Sequence, residues 1–290
     1  MTLLCAGEAF EDLVFTLDRF PDPGEEVKTD HFTATIGGGA VLTAVHAARL
    51  GMKAGVISAL GDAAVAQLRR ERVTVTNLRK PKEPHAITAA MSTEDDRAFV
   101  TFNGVNAKLE ARLATAIAAF ARAADSPAGQ APQHIHLCFY PHDCAQWTRI
   151  LARLRKRGIT TSWDLMWSEP LTADRGVTDL IDALDFVFVN ELDARLCTGE
   201  PTLEGAAAHW RQRRAITIVK QGDHGATWVA PDRDIHFPAP RVTVVDAIGT
   251  GDAFNAGFLV TWMRGASPAQ CLAAGNKLSA ATMRHAGAIS

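Results

Sequence analysis

The stretch VVDAIGTGDAFNAGF at residues 244–258 places a β-forming run directly before two glycines, an aspartate and an apolar helix. Gly249 and Gly251 flank Thr250, so the backbone can turn sharply there with its N–H groups exposed. The helix that follows adds the positive end of its dipole. The stretch therefore predicts an anion-binding loop. Asp252 is either a simple N-cap or a carboxylate that accepts a proton from an attacking hydroxyl beside that loop.

Outward from this stretch, the chain alternates short β-like runs with helical ones. Such alternation predicts right-handed crossovers and an α/β, doubly wound, mostly parallel sheet flanked by helices, with ligands bound beyond the carboxyl ends of the strands. The predicted strands after residue 133 are IHLCFY, GITTSWD, FVFVN and AITIVK, followed by two short strand-like stretches near 226–230 and 235–245. The predicted helices between and after the strands cover about 143–157, 175–184, 191–197, 203–213, 251–264 and 268–285.

The amino-terminal part of the chain has a different pattern. After a buried strand at 3–7, the segments at about 10–36 and 85–103 cluster β-forming residues around turn signals such as Pro-Asp-Pro-Gly. These segments predict antiparallel strand pairs that project from the parallel sheet as a small β lid. No repeat or linker marks a boundary, so residues 1–290 are expected to form a single domain.

Composition excludes several classes of protein. Hydrophobic residues make up 47% of the 290 residues and charged residues 21%, which is ordinary for a globular chain. With 30 Lys and Arg against 32 Asp and Glu, the net charge is −2, so neither nucleic acid nor a membrane surface is an expected partner. The five cysteines form no Cys-x-x-Cys pair, and no secretion signal or membrane span is found. We expect a cytoplasmic protein with a small-molecule substrate.

The run from Asp246 to Asp252 resembles the carboxy-terminal motif of the ribokinase-like, or PfkB, carbohydrate kinases, which usually reads Asp-Thr-x-Gly-Ala-Gly-Asp. Ala247 and Thr250 stand where that motif has Thr and Ala. The resemblance implies that Asp252 is the catalytic base and that the segment Gly249, Thr250, Gly251 forms the anion hole. It also implies ATP and Mg²⁺ as cofactors.

The resemblance extends to the acceptor side of such a site. IGGGAVLTAVHAARLG at 36–51 resembles the family's Gly-Gly motif and Ala-rich helix, which implies that Gly38 and Gly39 approach the bound sugar. Asp12 matches the aspartate that hydrogen-bonds sugar hydroxyls in these kinases. Leu42 stands where many relatives carry a sugar-binding Asn. Two further residues, Asn103 and Asn106, offer neutral hydrogen-bonding groups, which favours an uncharged polyol.

Three patterns resemble the family's nucleotide side. VKQGDHGA at 219–226 resembles its Thr-x-Gly-x-x-Gly loop, with Gly222, Gly225 and, in place of Thr, Lys220. VNELDA at 189–194 resembles the Asn-x-x-Glu motif associated with phosphate and magnesium. The residues at the positions of this motif are Asn190 and Asp193. The helix near the end of the sequence resembles the one that carries an adenine-proximal asparagine in the family, and Asn276 occupies that position.

By the same resemblance, we expect a monovalent cation such as K⁺ near Asp246 and the 284–287 segment, and a homodimer formed through the lid. Asp246 is also a candidate metal ligand with Asp193. His134-x-His136 could be half of a metal site, and Trp163 and Trp167 flank Asp164, but we interpret these two patterns as packing, with Asp164 a lesser candidate for a polar role near the crevice.

Together these residues predict an ATP-dependent kinase that phosphorylates a hydroxyl of a sugar or a sugar-like small molecule. Two alternatives remain open. One is a nucleoside kinase, with aromatic walls supplied by the lid phenylalanines; the other is a catalytically silent sensor of a sugar or nucleotide. The sequence leaves open which acceptor is used and which hydroxyl receives the phosphoryl group. The lid phenylalanines in question are Phe10, Phe15, Phe99 and Phe102.

Overall fold

The computed structural model describes residues 2–93, 96–122, 131–169, 174–284, 287 and 289. A nine-stranded central sheet dominates them. Its strands, in chain order, are β1 (Thr2–Gly7), β4 (Lys53–Ser58), β5 (Thr74–Asn77), β8 (His134–Cys138), β9 (Thr160–Asp164), β10 (Phe186–Asn190), β11 (Ile216–Lys220), β12 (Ala226–Val229) and β13 (Asp234–Phe237).

The order across this sheet is β13-β12-β11-β10-β9-β8-β1-β4-β5. All pairs from β5 to β11 are parallel, and β12 and β13 add an antiparallel edge. The predicted doubly wound, mostly parallel sheet is confirmed. The carboxyl ends of seven parallel strands therefore meet along one edge, where ligands bind in such folds.

Helices cover both faces of the sheet. Along β1, Leu4 and Ala6 join one apolar cluster while Leu3 and Cys5 join the other, because alternate side chains of a strand point to opposite faces. One face is covered by α3 (Leu109–Arg122), α4 (Cys144–Lys156), α5 (Val177–Ala183), α6 (Glu191–Thr198) and α7 (Leu203–Trp210). The other is covered by α1 (Gly39–Arg49), α2 (Asp62–Arg70), α8 (Thr250–Met263) and α9 (Pro268–Thr282).

A smaller sheet has the strand order β3-β2-β6-β7. It consists of β2 (Phe10–Thr16), β3 (Phe32–Gly37), β6 (Ile87–Ser92) and β7 (Arg97–Phe102). The two hairpins are antiparallel, as the sequence predicts, but β2 and β6 pair in parallel. The parallel pair starts where the Glu11 N–H donates to the Ala86 carbonyl at 3.0 Å, so β2 and β6 begin at the same level.

Two further details differ from the sequence-based prediction. The stretch predicted as a strand over about 235–245 is a strand only to Phe237, and α9 ends at Thr282, before 285. Asn276 of α9 donates to the carbonyls of Phe237 and Pro238, so the chain beyond β13 is held by a helix and not by another strand. Over the described ranges, no helix is both long and apolar enough to cross a bilayer.

Candidate functional site

The loop before α8 has the geometry that the sequence predicts for an anion-binding turn. Gly249 has a φ of 71°, in the left-handed region that favours glycine, and α8 begins at Thr250. The first N–H groups of a helix have no partner within it, and here they belong to Thr250, Gly251 and Asp252. The Thr250 hydroxyl donates to the Ala247 carbonyl at 3.0 Å. The loop is therefore closed on itself, with its amides facing outward from the helix end.

Asp246 braces this loop. Its Oδ1 accepts from the Ile248 N–H at 2.9 Å and its Oδ2 from the Gly287 N–H at 3.0 Å. Both carboxylate oxygens thus hold backbone, which links the loop to the end of the chain. Its predicted role as a metal or cation ligand stays a prediction. Two residues of the predicted cation segment, 285 and 286, lie outside the described residues.

Asp252 lies in the first turn of α8 and is partly buried. Burial raises its pKa to about 7, and the negative charge of Asp164 adds to this, while the positive charge of Lys220 opposes it. A carboxylate with a pKa near neutrality is suited to take up a proton at neutral pH. The chemistry available at this position is general-base catalysis.

The glycine turn at 37–39 joins Asp252 to Asp12. A Cβ on Gly37 would overlap the Asp12 carboxylate, and a Cβ on Gly39 would lie 3.0 Å from Oδ1 of Asp252. Gly38 between them has a φ of 99° and packs against the backbone of Glu8 and Ala9. Only glycine allows this close approach. Asp12, which is predicted to bind the acceptor, and Asp252, the predicted base, therefore both pack against this one turn.

Asp12 comes from the small sheet. Burial raises its pKa to about 6. In β2 it pairs with Thr35 of β3 and Thr88 of β6. The small sheet thus contributes a carboxylate next to the carboxyl edge of the large one.

Lys220, at the end of β11, makes an ion pair that sequence analysis missed. Its Nζ lies 2.8 Å from Oδ1 of Asp164, at the end of β9, and 3.4 Å from Oδ1 of Asn255 on α8. The same Nζ is 3.4 Å from where a Cβ on Gly251 would be. The side chains of Lys220 and Asp164 are 17% and 18% exposed. The ammonium group is therefore held beside the amino terminus of α8.

Asn190 and Asp193 bind each other. The Asn190 side chain accepts from the Asp193 N–H at 2.7 Å and donates to its Oδ2 at 2.8 Å. Asn190 pairs with Lys220 across β10 and β11, so the amide, the carboxylate and the ammonium group lie side by side. Burial raises the pKa of Asp193. This donor set fits a nucleotide phosphate with Mg²⁺, because Mg²⁺ is commonly held by one or two carboxylates together with phosphates.

The remaining predicted nucleotide residues are more dispersed. Gly222 has a φ of 59° and is exposed, and Gly225 packs against the chain at residues 237–239. Asn276 is 5% exposed and holds the same chain segment through its amide. These three residues shape the chain beyond β11 and β13. Their contact with a nucleotide stays a prediction.

Leu42, Asn103 and Asn106 complete the predicted acceptor set. Leu42 is 4% exposed and belongs to the apolar cluster on the α8 side of the sheet, so its contact with an acceptor stays a prediction. Asn103 is exposed, whereas Asn106 is 6% exposed. Both asparagines line one cavity beyond β8.

Two further acids face this region. Asp164, which ends β9, is the lesser candidate named from the sequence, whereas Glu8, which directly follows β1, is a residue that the sequence analysis missed and that the rule of polar residues after parallel strands could have identified. His134 and His136 are buried and both bind the Ser162 hydroxyl at 2.7 Å, which agrees with the packing interpretation. Among the described residues, no group of three or more His, Cys, Asp or Glu could hold a metal ion.

Comparison with known proteins places this geometry in context. Residues 2–290 match the model of the pfkB family carbohydrate kinases. The chain is similar to an ATP-dependent ribose-1-phosphate kinase of Halopiger xanaduensis, with 28% identity over 99% of this chain and 93% of that protein. It is also similar to a fructokinase of Rhizobium leguminosarum bv. trifolii, with 26% identity over 89% and 79% of the two chains. The structure of Arabidopsis thaliana ribokinase complexed with ribose and ATP superposes with a TM-score of 0.79, at 20% identity, over 99% and 94%.

Proposed function

The chain belongs to the pfkB family of carbohydrate kinases, and from that membership we propose that it transfers the γ-phosphoryl group of ATP to a hydroxyl of a sugar or sugar-like molecule, with Asp252 as the base. One observation carries the proposal: Gly37 and Gly39 pack against the carboxylates of Asp12 and Asp252. A hydroxyl compound bound by Asp12 would thus lie next to a base whose pKa is about 7.

In the proposed reaction, Asp252 Oδ accepts the proton of the acceptor hydroxyl as the hydroxyl oxygen bonds to the γ-phosphorus of ATP. The bond from that phosphorus to the bridging oxygen breaks, and ADP leaves with the bridging electrons. The outward N–H groups of Thr250 and Gly251, with the dipole of α8, stabilise negative charge on the transferring group. Lys220 adds a positive charge at the same helix end. Phosphoryl transfer depends on such positioning and electrostatic stabilisation.

Asn190, Lys220 and Asp193 would hold the nucleotide phosphates and their metal ion, and Gly222, Gly225 and Asn276 would shape the rest of the nucleotide site. When bound, Mg²⁺ neutralises charge that develops between the phosphates. A monovalent cation would bind at the loop braced by Asp246, with its effect measured as activation by K⁺ over Na⁺. Because the reaction uses ATP, we expect it to take place in the cytoplasm.

The small sheet would act as the lid. It carries Asp12 toward the glycine turn, so its closure would bind the acceptor and exclude water that could otherwise hydrolyse ATP. Its other face is apolar and exposed: Phe32, Val100 and Phe102 are 53%, 64% and 54% exposed. A second copy of this sheet is the occupant that would cover this face. Sedimentation should give a dimer, and Val100→Asp should give a monomer.

The nucleoside-kinase alternative has weaker support. Side chains alternate along a strand, and the strand pairings put Phe10 and Phe99 on the face of Asp12 but Phe15 and Phe102 on the opposite face. Only half of the predicted aromatic wall could therefore face an acceptor. A silent sensor is opposed by the intact Gly249–Asp252 turn next to Asp12.

The deciding experiment is a coupled assay of ADP release over pentoses, hexoses, ketoses, sugar acids and nucleosides. The wild-type protein should release ADP with at least one sugar, and the Asp252→Asn variant should not. If a nucleoside gives the highest kcat/KM, the alternative replaces the proposal. If no compound gives ADP while sugars still raise Tm, the protein is a sensor.

A further inference from the structure

A cavity of about 430 Å³ lies beyond the carboxyl ends of β1 and β8. Its size falls within the range of small-molecule sites. Phe139 supplies an apolar wall, and the polar residues that matter here are Glu8, Asn106, Lys108, Glu110, Tyr140 and His142.

The backbone of Glu8 connects this cavity to the glycine turn that packs against the proposed base. The Glu8 N–H donates to the Cys138 carbonyl at 3.1 Å, and the Glu8 carbonyl packs against Gly38. The neighbouring Gly39 packs against both Cys138 and Asp252. Gly38 and Gly39 are consecutive, and the Cα atoms of consecutive residues are 3.8 Å apart. The contact with the Glu8 carbonyl and the contact with Asp252 are therefore one peptide unit apart.

Asn106 lines this cavity and is only 6% exposed. Its Nδ2 donates to the Ala9 carbonyl at 3.1 Å, which fixes the orientation of the amide. Its Oδ1 is buried and has no partner within the described chain. A buried carbonyl without a partner is unfavourable, so a donor hydroxyl of a ligand that met this oxygen after a small shift of the side chain would satisfy it.

The acids of the cavity play two different roles. Glu110 is already used: its Oε1 accepts from the His142 N–H at 2.8 Å and from the Trp147 indole at 3.0 Å, and its Oε2 lies 2.9 Å from Nδ1 of His142. Glu8 is different, because no hydrogen bond to its carboxylate is found over the described ranges. Burial raises the pKa of Glu8, and His142 opposes this shift.

The basic groups do not balance these acids. Lys108 is exposed at the edge of the cavity, and His142 is bound to Glu110. Burial raises the pKa of the Tyr140 phenol, and so do the charges of Asp193, Glu8 and Asp164, so this wall faces acids on several sides. The carboxylates of Asp12 and Asp252 lie against Gly37 and Gly39 of the adjoining glycine turn. A ligand phosphate or carboxylate would meet like charges there.

We propose that this cavity binds the acceptor and selects an uncharged, hydroxyl-rich compound against sugar acids and sugar phosphates, with Glu8 and Asn106 as the residues that determine this specificity. The inference rests on the proposed kinase function and names the acceptor class for the same site. It separates this chain from the ribose-1-phosphate kinase to which it is similar, whose acceptor is anionic.

The test compares uncharged and anionic acceptors. D-fructose, D-tagatose and D-ribose form one panel, and ribose 1-phosphate, gluconate and 2-dehydro-3-deoxygluconate the other. The best uncharged acceptor should exceed every anionic one by ~10²-fold or more in kcat/KM. Glu8→Gln should lower this ratio of kcat/KM values at least about tenfold, because the variant lacks the negative charge that repels anionic acceptors. Glu26→Gln, an exposed glutamate remote from the cavity, should leave it unchanged.

A binding measurement keeps the test independent of catalysis. The Tm of the Asp252→Asn variant is measured with each panel of acceptors. The measurement is repeated on the double variant that also carries Asn106→Leu. Uncharged sugars should raise Tm, and Asn106→Leu should abolish the rise. If sugars bind in this way but are never phosphorylated, the kinase proposal fails and the cavity assignment stands. An anionic acceptor that binds or reacts best overturns the inference, as does the absence of binding by every sugar.

Discussion

Lys220 and Asp164 stand at the ends of two strands that are separated by a third, and their side chains meet with Nζ 2.8 Å from Oδ1. The pair lies beside Asp252, whose pKa Asp164 raises and Lys220 lowers. One ion pair therefore acts on the proposed base in two opposite directions.

Removing either partner should shift the pH dependence of activity in opposite directions. Lys220→Met should move the acid limb of kcat/KM to higher pH, and Asp164→Asn should move it to lower pH. Lys220→Met should also lower kcat by ~10²- to 10³-fold, because a charge beside the transferring group is lost. The control is Arg211→Met, which breaks the ion pair with Asp234 at 2.7 Å on the sheet edge and should change neither property. Shifts of the same sign in both variants would contradict this role.

Replacing the proposed base should reduce activity and increase stability at high pH. Asp252→Asn should lower kcat roughly 10²- to 10⁴-fold while the Kd for ATP stays unchanged. The folded pKa of about 7 lies above the ordinary value of 3.8, so the unfolded chain loses the proton first and wild-type stability falls as pH rises from about 4 to 7. The Tm of the variant should therefore match wild type at pH 4 and exceed it at pH 8. Wild-type turnover itself should rise with a midpoint near pH 7.

Asp12→Ala should weaken acceptor binding alone. A hydrogen bond to a charged group contributes about 1.5 to 3 kcal/mol, so kcat/KM for the acceptor should fall roughly 10- to 100-fold. The Kd for ATP should not change. Glu11→Gln is the matched control, because Glu11 points to the other face of β2 and its Oε2 lies 2.5 Å from Nε2 of His85. A weaker ATP affinity in the Asp12 variant would show instead that this carboxylate lies on the nucleotide side of the site and not on the acceptor side.

Leu42 should disfavour ribose. A leucine where a sugar-binding amide is expected leaves a facing hydroxyl unpaired, so wild-type protein should use ribose poorly. Leu42→Asn should improve ribose relative to the best acceptor by roughly 1 to 3 kcal/mol, or about 5- to 150-fold in the ratio of kcat/KM values. Comparing ratios within each variant removes the cost of placing an amide at a site only 4% exposed. An unchanged ratio would make Leu42 a core residue without contact to the acceptor.

The buried histidines should make the fold sensitive to acid. Burial lowers the pKa of His136 to about 4 and that of His134 well below its usual value. As pH falls below 6.5, the unfolded chain takes up protons that the folded chain does not, so stability is lost. For His136 alone the loss between pH 6.5 and 4 is on the order of 3 kcal/mol. His136→Asn should reduce the slope of unfolding free energy against pH, measured by urea denaturation, whatever its effect at pH 8.

Sequence patterns predicted the elements better than the contacts between them. Alternating periods place most strands and helices after residue 133, and Gly249 and Gly251 mark the loop, because these signals are local. The parallel pairing of β2 with β6 is not local, and neither is the meeting of Lys220 with Asp164, which requires the strand order. A lysine at a strand end is ordinarily solvated. The partner of Lys220 is an aspartate two strands away, and this follows only from the position of β10 between β9 and β11.

The close approach of Gly39 to Asp252 joins positions more than two hundred residues apart in the chain. A nascent chain can assemble β1, β4 and α1 early, but the base arrives only after all the residues between Ser58 and Asp252 have been made. Contacts of such long range form late because they require the closure of a long loop. Activity should therefore appear only after the segment that carries Asp252 has left the ribosome and packed against the glycine turn. Before that point the growing chain would be unable to consume ATP.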